Sequence, residues 1–198
     1  LKTIDNLGLK DNTILIFTSD NGREGVIRSF GFTGPWRGAM FSPYEGSLRV
    51  PFLIRWPGSI PTQQVSNELF HQIDVFPTLL TLIGGKIPTD RILDGVDQSD
   101  FLTAKQKSSN RESTVIYIGN QLFGVKWRNW KMLLKEMDEK SYAIKDMAYP
   151  SIYNLIIDPK EEKPEHFYLD DTWVDAPLWQ VLEDHQASIA DDPGVPGL

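Results

Sequence analysis

The sequence predicts an α/β fold in which part of a parallel sheet with its helices is followed by a small antiparallel sheet packed with a C-terminal helix. Three observations carry that prediction. Residues 13–18 are a short, nearly continuous apolar and β-branched run, the pattern of a strand covered on both faces. Beyond residue 112, short runs rich in aromatic and β-branched residues alternate with tight turns, as in an antiparallel meander. Near the end, Leu178, Val181, Leu182, His185 and Ile189 recur at helical spacing and form one apolar stripe.

The elements follow in order. Leu1, Ile4 and Leu7 share one helical face and Gly8 stands where such a helix stops, so a helix feeds the strand at Thr13. That is the order of an α/β crossover unit. Residues 23–46 hold seven Gly or Pro among aromatic and polar residues, and a connection of that length is usually functional or disordered. Residues 50–56 read as a second strand closed by Pro57-Gly58. Asp74 suits the N-cap of a helix over residues 75–83, with Pro77 in its first turn and Gly84-Gly85 at its end. Polar stretches at 86–97 and 105–112 mark a boundary, giving a core over residues 1–105 and a small subdomain over 106–198. In the second part, residues 114–118, 122–127, 130–135 and 151–155 are the strands. A helix starting near Asp175 or Pro177 covers one face of their sheet.

Composition narrows the function classes. The 198 residues are 40% hydrophobic and 24% charged, an ordinary globular balance. The net charge is −7 and the Lys and Arg residues are scattered singly, which argues against a nucleic-acid partner. No apolar run approaches the roughly 20 residues needed to span a bilayer. Cysteine is absent, so these residues hold no disulfide, no thiolate metal ligand and no cysteine nucleophile. The chain starts at Leu, part-way into a helix-to-strand unit, and reads as the later part of something longer.

The first strand runs directly into Asp20-Asn21-Gly22. Sheets of this type bind ligands at the carboxyl ends of their strands. An Asp oxygen beside an Asn carbonyl oxygen makes a hard donor pair suited to Ca²⁺ or Mg²⁺. The same tripeptide is also a common turn, in which Asp and Asn bond their own backbone, and on spacing alone the turn is the stronger reading. Glu45 and Arg49 are placed for an ion pair one helical turn apart. Arg49 and Arg55 read as braces of the loop and sheet edge, His71 as a packed histidine, and Trp127 and Trp130 as hairpin residues.

The turn does not stand alone. Gly34-Pro35-Trp36-Arg37-Gly38, Tyr44-Glu45-Gly46-Ser47-Leu48-Arg49-Val50-Pro51, Phe52-Leu53-Ile54-Arg55-Trp56-Pro57-Gly58, His71-Gln72-Ile73-Asp74, Leu93-Asp94-Gly95-Val96-Asp97 and Tyr153-Asn154-Leu155 follow in register. Together they closely resemble the C-terminal part of the sulfatase family, within the alkaline-phosphatase-like superfamily, up to about residue 165.

That resemblance implies an arylsulfatase-like sulfuric ester hydrolase with one Ca²⁺, for which Asp20 and Asn21 are two of the ligands. The other ligands and the formylglycine nucleophile belong to segments that this sequence does not contain, so it implies no catalytic residue here and no activity for the chain alone. A sulfate-ester small molecule or a sulfated glycan is the implied substrate, and a periplasmic or secreted setting is common among such proteins. One departure stands out: Gly38-Ala39-Met40 occupies the place where many sulfatases have Gly-Gly-Lys. A thioether cannot donate to a sulfate oxygen. Arg37 is the nearest cation, a candidate for substrate binding through its planar donors. Its alternative role is an ion pair with a carboxylate at the cleft wall. Two rival functions remain open on sequence: a phosphodiesterase or phosphonate hydrolase of the same superfamily, and a degenerate, non-catalytic binding module.

Overall fold

The structure, a computed structural model, describes residues 1–25, 31–165 and 169–193. Residues 26–30, within the long connection of residues 23–46, lie outside them. Helix α1 is Lys2–Asn6, followed by strand β1 (Leu15–Thr18), helix α2 (Glu45–Leu48), strand β2 (Phe52–Arg55) and helices α3 (Val75–Leu82) and α4 (Ser99–Leu102). Strands β3 (Ser113–Ile118), β4 (Gln121–Trp127), β5 (Trp130–Met137) and β6 (Ile144–Asn154) come next, and helix α5 (Asp175–Asp191) is last. The chain divides into two units, one of Leu1–Ser19 with Pro51–Glu112 and the other of Asp20–Val50 with Ser113–Leu198.

In the first unit, Gly8 adopts φ +70° just past α1, the left-handed conformation that ends a helix without a Cβ penalty. The α/β class holds, but β1 and β2 pair antiparallel, Leu15 opposite Arg55 and Thr18 opposite Phe52, where a parallel arrangement was expected. Parallel neighbours need a crossover element to carry the chain back, whereas a long irregular connection allows either direction. Ile16, Phe52 and Ile54 pack toward Phe70, Val75 and Leu79, with the Phe52 and Phe70 rings 4.4 Å apart. On the other face Phe17 and Leu53 stay 61% and 58% exposed, so the chain covers β1 on one face and not the expected two.

Asp74 does not cap α3 with its side chain. A tight turn over Gln72–Asp74 already has helical dihedrals and leads into α3, and the cap belongs to His71, whose Nδ1 accepts the Ile73 N–H at 3.2 Å. The Asp74 carboxylate accepts the N–H groups of His71 and Val96, each at 2.9 Å, and a two-pronged contact from Arg111, with Nη2 at 2.6 Å and Nε at 2.9 Å. Asp74 thus ties the start of α3 to two later loops.

In the second unit β3, β4, β5 and β6 form an antiparallel meander in chain order. One face packs on α5 through Val125, Trp130, Met132, Leu178 and Leu182. The opposite face holds Ile116, Leu133 and Tyr153 and receives Tyr44 from the long loop. Trp127 and Trp130 pair across the turn, Arg128 taking φ +53°, and Trp173 stands edge-on to both at 6.1 and 6.0 Å. Such edge-to-face pairs add about 0.5–1.5 kcal/mol beyond the area they bury.

Candidate metal-binding turn

Strand β1 leads into Asp20-Asn21-Gly22, which belongs to the second unit. Asp20 is exposed and Asn21 half-buried. The Asn21 N–H donates to Asp20 Oδ1 at 2.9 Å, and Asn21 Nδ2 donates to the Gly22 carbonyl at 2.7 Å. These are the local bonds of an ordinary turn, and they also have a chemical consequence. With its nitrogen held on the Gly22 carbonyl, the Asn21 amide keeps its oxygen as an acceptor, on the residue next to the exposed Asp20. The donor set suits a hard cation. It is also incomplete: among the described residues, no group of three or more His, Asp or Glu side chains is arranged to hold a metal ion.

The turn is seated on α2. The Gly22 N–H donates to the Ser47 carbonyl at 2.8 Å, and a Cβ on Gly22 would lie 1.9 Å from the Gly46 oxygen. Only glycine permits that approach. Gly46 is confined in turn: its N–H donates to the Arg37 carbonyl at 2.6 Å, and a Cβ there would meet the same oxygen at 2.5 Å. Turn, loop and α2 are therefore stacked backbone on backbone.

Beneath this stack lies a buried charge cluster. Glu45 and Lys131 are 0% exposed and Lys126 is 7%. Lys126 Nζ is 2.8 Å and Lys131 Nζ 3.3 Å from the Glu45 carboxylate, and Arg49 pairs with it from one helical turn away, as its spacing predicted. Lys131 also reaches Glu161 Oε1 at 2.6 Å, and the Glu45 N–H donates to Glu161 Oε2 at 2.7 Å. Burial pushes the Glu45 carboxyl up, but Lys131, Lys126 and Arg49 outweigh it and hold the group well below the usual carboxylate range. Glu161 goes the other way, because burial raises it more than Lys131 and the Glu45 N–H lower it. Burial likewise lowers Lys126.

Arg37 has its Nε 2.5 Å from Glu139 Oε1, its Nη1 3.0 Å from the Glu161 carbonyl and its guanidinium 3.9 Å above the Tyr44 ring. Arg49 lies 4.9 Å above the Trp36 ring. Phe32 and Phe41, on the same long loop, are 89% and 60% exposed.

Comparison with known proteins bears on this arrangement. Residues 1–85 match the Sulfatase family. Mouse (Mus musculus) N-acetylgalactosamine-6-sulfatase is 32% identical along 100% of this chain and 42% of its own length. The crystal structure of the PsFucS1 sulfatase from Pseudoalteromonas sp. superimposes with a TM-score of 0.89 and 28% identity over 98% of this chain and 40% of that one. The chain thus carries a sulfatase-family segment over residues 1–85 and resembles sulfatases along its whole length. Steryl-sulfatase from Rattus norvegicus is similar over a shorter stretch, 39% identical across 65% of this chain and 23% of its own length. The chain spans less than half the length of these relatives.

The residues that seat the turn were only partly visible in the sequence. Glu45 and Arg49 were paired by spacing, but Lys126, Lys131 and Glu161 were not connected to them. A signal existed: Lys126 and Lys131 each sit within an aromatic and apolar run, and they face each other across β4 and β5. A lysine between inward-facing neighbours calls for a buried carboxylate.

Proposed function

We propose that this chain supplies the metal-binding turn and part of the cleft of a Ca²⁺-dependent, arylsulfatase-like sulfuric ester hydrolase. Asp20 and Asn21 are two of the metal's oxygen ligands. The observation that carries this reading is the exposed Asp20 carboxylate with Asn21 next to it just past the end of β1, in a segment that matches the sulfatase family. A bound Ca²⁺ supplies a Lewis acid and a template for a sulfate group. Asp20 contributes the negative charge that offsets part of the ion's own, and Asn21 a neutral oxygen. Arg37, three residues before Met40, offers guanidinium donors to a sulfate oxygen. The exposed Phe32 and Phe41 rings give the cleft mouth an apolar rim.

No cysteine occurs among the 198 residues, and no serine is followed by Pro and Arg at the spacing of a formylglycine motif. The nucleophile therefore comes from outside these residues, and the chain alone turns over no ester. Its relatives are named for a sterol and for an amino sugar, so both apolar and sugar sulfates are candidate substrates.

The test is Asp20→Ala in the full-length protein. The expected result is loss of calorimetric Ca²⁺ binding and of sulfate-ester turnover with an unchanged far-UV circular dichroism spectrum. Wild-type Ca²⁺ stoichiometry in that variant overturns the assignment. Rates on an aryl sulfate, a sulfated sugar and an aryl phosphodiester then rank the substrate classes.

A further inference from the structure

Two features of the second unit have no role in the reading above: a nearly solvent-free cluster of four charged groups, Glu45, Lys126, Lys131 and Glu161, and a glycine whose contact with α2 is tighter than any side chain allows. They occupy consecutive positions on one path. Gly22, next to Asn21, hydrogen-bonds Ser47 and lies against the Gly46 carbonyl. Gly46 and Ser47 directly follow Glu45. The Glu45 backbone is held by Glu161 and its carboxylate by Lys126 and Lys131. Those lysines are cross-strand neighbours on β4 and β5.

Resting on the metal-turn reading, we infer that Glu45 is a positioning residue: it anchors α2 to the β4–β5 ladder and so holds the Asp20-Asn21 turn in its ligating form. The physical case has three parts. The stack from Gly22 to Gly46 to Arg37 is backbone against backbone, which has no rotamers through which a displacement could be absorbed. Glu45 cannot turn aside, since its carboxylate is the counter-charge of two buried ammonium groups that have no water to replace it. And α2 has a single turn, too short to hold its own position without an external anchor. A shift of Glu45 therefore moves Gly46 and Ser47, and with them Gly22 and its neighbouring ligand.

Linkage makes the effect reciprocal: if the β4–β5 anchor improves Ca²⁺ binding, bound Ca²⁺ must stabilise that anchor by the same factor. Exposed acidic turns that bind metals without such an anchor have no reason to alter the exchange of a sheet underneath them. Glu45→Gln is the direct perturbation, but it strips the counter-charge from two buried lysines and risks unfolding. Lys126→Met is the milder one, because it keeps the stem, leaves Glu45 with Lys131 and Arg49, and lies far from the ligands in sequence.

The experiment uses the full-length protein and measures Ca²⁺ affinity by calorimetry together with amide hydrogen exchange of β4 and β5, with and without Ca²⁺. In the wild type, Ca²⁺ is expected to slow exchange in β4 and β5. Lys126→Met is expected to weaken Ca²⁺ binding about five- to tenfold and to reduce that slowing. Gly22→Ala, which severs the contact to α2 and leaves the cluster intact, is expected to weaken binding at least tenfold and to abolish the slowing. Wild-type Ca²⁺ affinity in Lys126→Met, with only a lower melting temperature, overturns the inference, as does sheet exchange indifferent to Ca²⁺. Asp20→Ala separates the two layers. If it binds Ca²⁺ like the wild type, the metal reading itself fails; if it loses Ca²⁺ while Lys126→Met does not, only the anchor fails.

Discussion

Asp74 in the first unit and Glu45 in the second are both fully buried carboxylates, and they are satisfied in different ways. Asp74 has one cation, Arg111, and two backbone N–H donors, so its charge is matched one to one. Glu45 has Lys126, Lys131 and Arg49, and the surplus is shared with Glu161. The first arrangement closes loops within one unit and asks nothing of its surroundings. The second concentrates charge next to the backbone stack that seats the Asp20-Asn21-Gly22 turn. Guanidinium pairs suit fixed closure because their geometry is bidentate, whereas ammonium groups act as point charges whose balance can be redistributed.

The comparison breaks most visibly if Glu45→Ala is tolerated. Removing one partner of a buried charge set typically costs about 3–5 kcal/mol, and here it leaves two lysines without their shared anion. Urea unfolding of the full-length protein followed by tryptophan fluorescence, carried in the second unit by Trp127, Trp130 and Trp173, is expected to register that loss. A change below about 1 kcal/mol would show that the cluster is not under strain when halved.

Asp74→Asn is expected to cost less, about 1.5–3 kcal/mol: the His71 and Val96 N–H groups donate to different carboxylate oxygens, so the single amide oxygen keeps one of them while the other and the charged contact to Arg111 are lost. Amide exchange across α3 is the measurement.

Acid titration separates the two sites by sign. Burial works to raise the Asp74 carboxyl, but the Arg111 contact and the Val96 and His71 N–H groups hold it below its ordinary value. Its contribution is therefore present above the ordinary carboxylate pKa of about 4 and is lost as pH falls through the depressed folded value. Glu161, raised by burial, does the reverse: it costs stability as pH rises from the ordinary value toward its folded one. Stability of the first unit is expected to plateau toward neutral pH and to lose its acid dependence in Asp74→Asn, while the second unit is expected to weaken over the Glu161 window. Unfolding midpoints at a series of pH values, wild type against each variant, check both slopes.

The smallest expected stability effect is at Arg37, whose pair with Glu139 is 31% and 41% exposed. Arg37→Lys is expected to change stability by less than about 1 kcal/mol. If Arg37 meets the sulfate group, the same change raises KM several-fold with kcat nearly unaltered; an unchanged KM assigns Arg37 to the Glu139 pair alone.

Periodicity made much of the second unit legible. The runs 114–118, 122–127 and 130–135 fall within β3, β4 and β5, and the helical stripe around Leu178 and Leu182 is the buried face of α5. Strand direction was not legible in the first unit, since an apolar run states that β1 is a strand but not how Phe52 to Arg55 will approach it. Asp74 does stand at the N-cap position of α3, but its carboxylate bonds elsewhere, because capping is a local inference while its partner Arg111 is 37 residues away. The Asp-Asn-Gly turn was readable at once, and its local bonds are those expected of such a turn. What seats it was not.

By itself the sequence determined the order and type of the elements, the family likeness carried by its motifs, the hard-oxygen pair at Asp20 and Asn21, and the ion pair of Glu45 with Arg49. All of these depend on neighbours within a few residues, where spacing dictates geometry. The tertiary structure alone decided that β1 meets β2 antiparallel, that Arg37 lies against Glu139 and Tyr44, and that Glu45 is the counter-charge of lysines 81 and 86 residues away. Periodicity reports which face of an element is buried and is silent on what it is buried against, and a buried charge takes its partner from whatever the folded chain brings within reach.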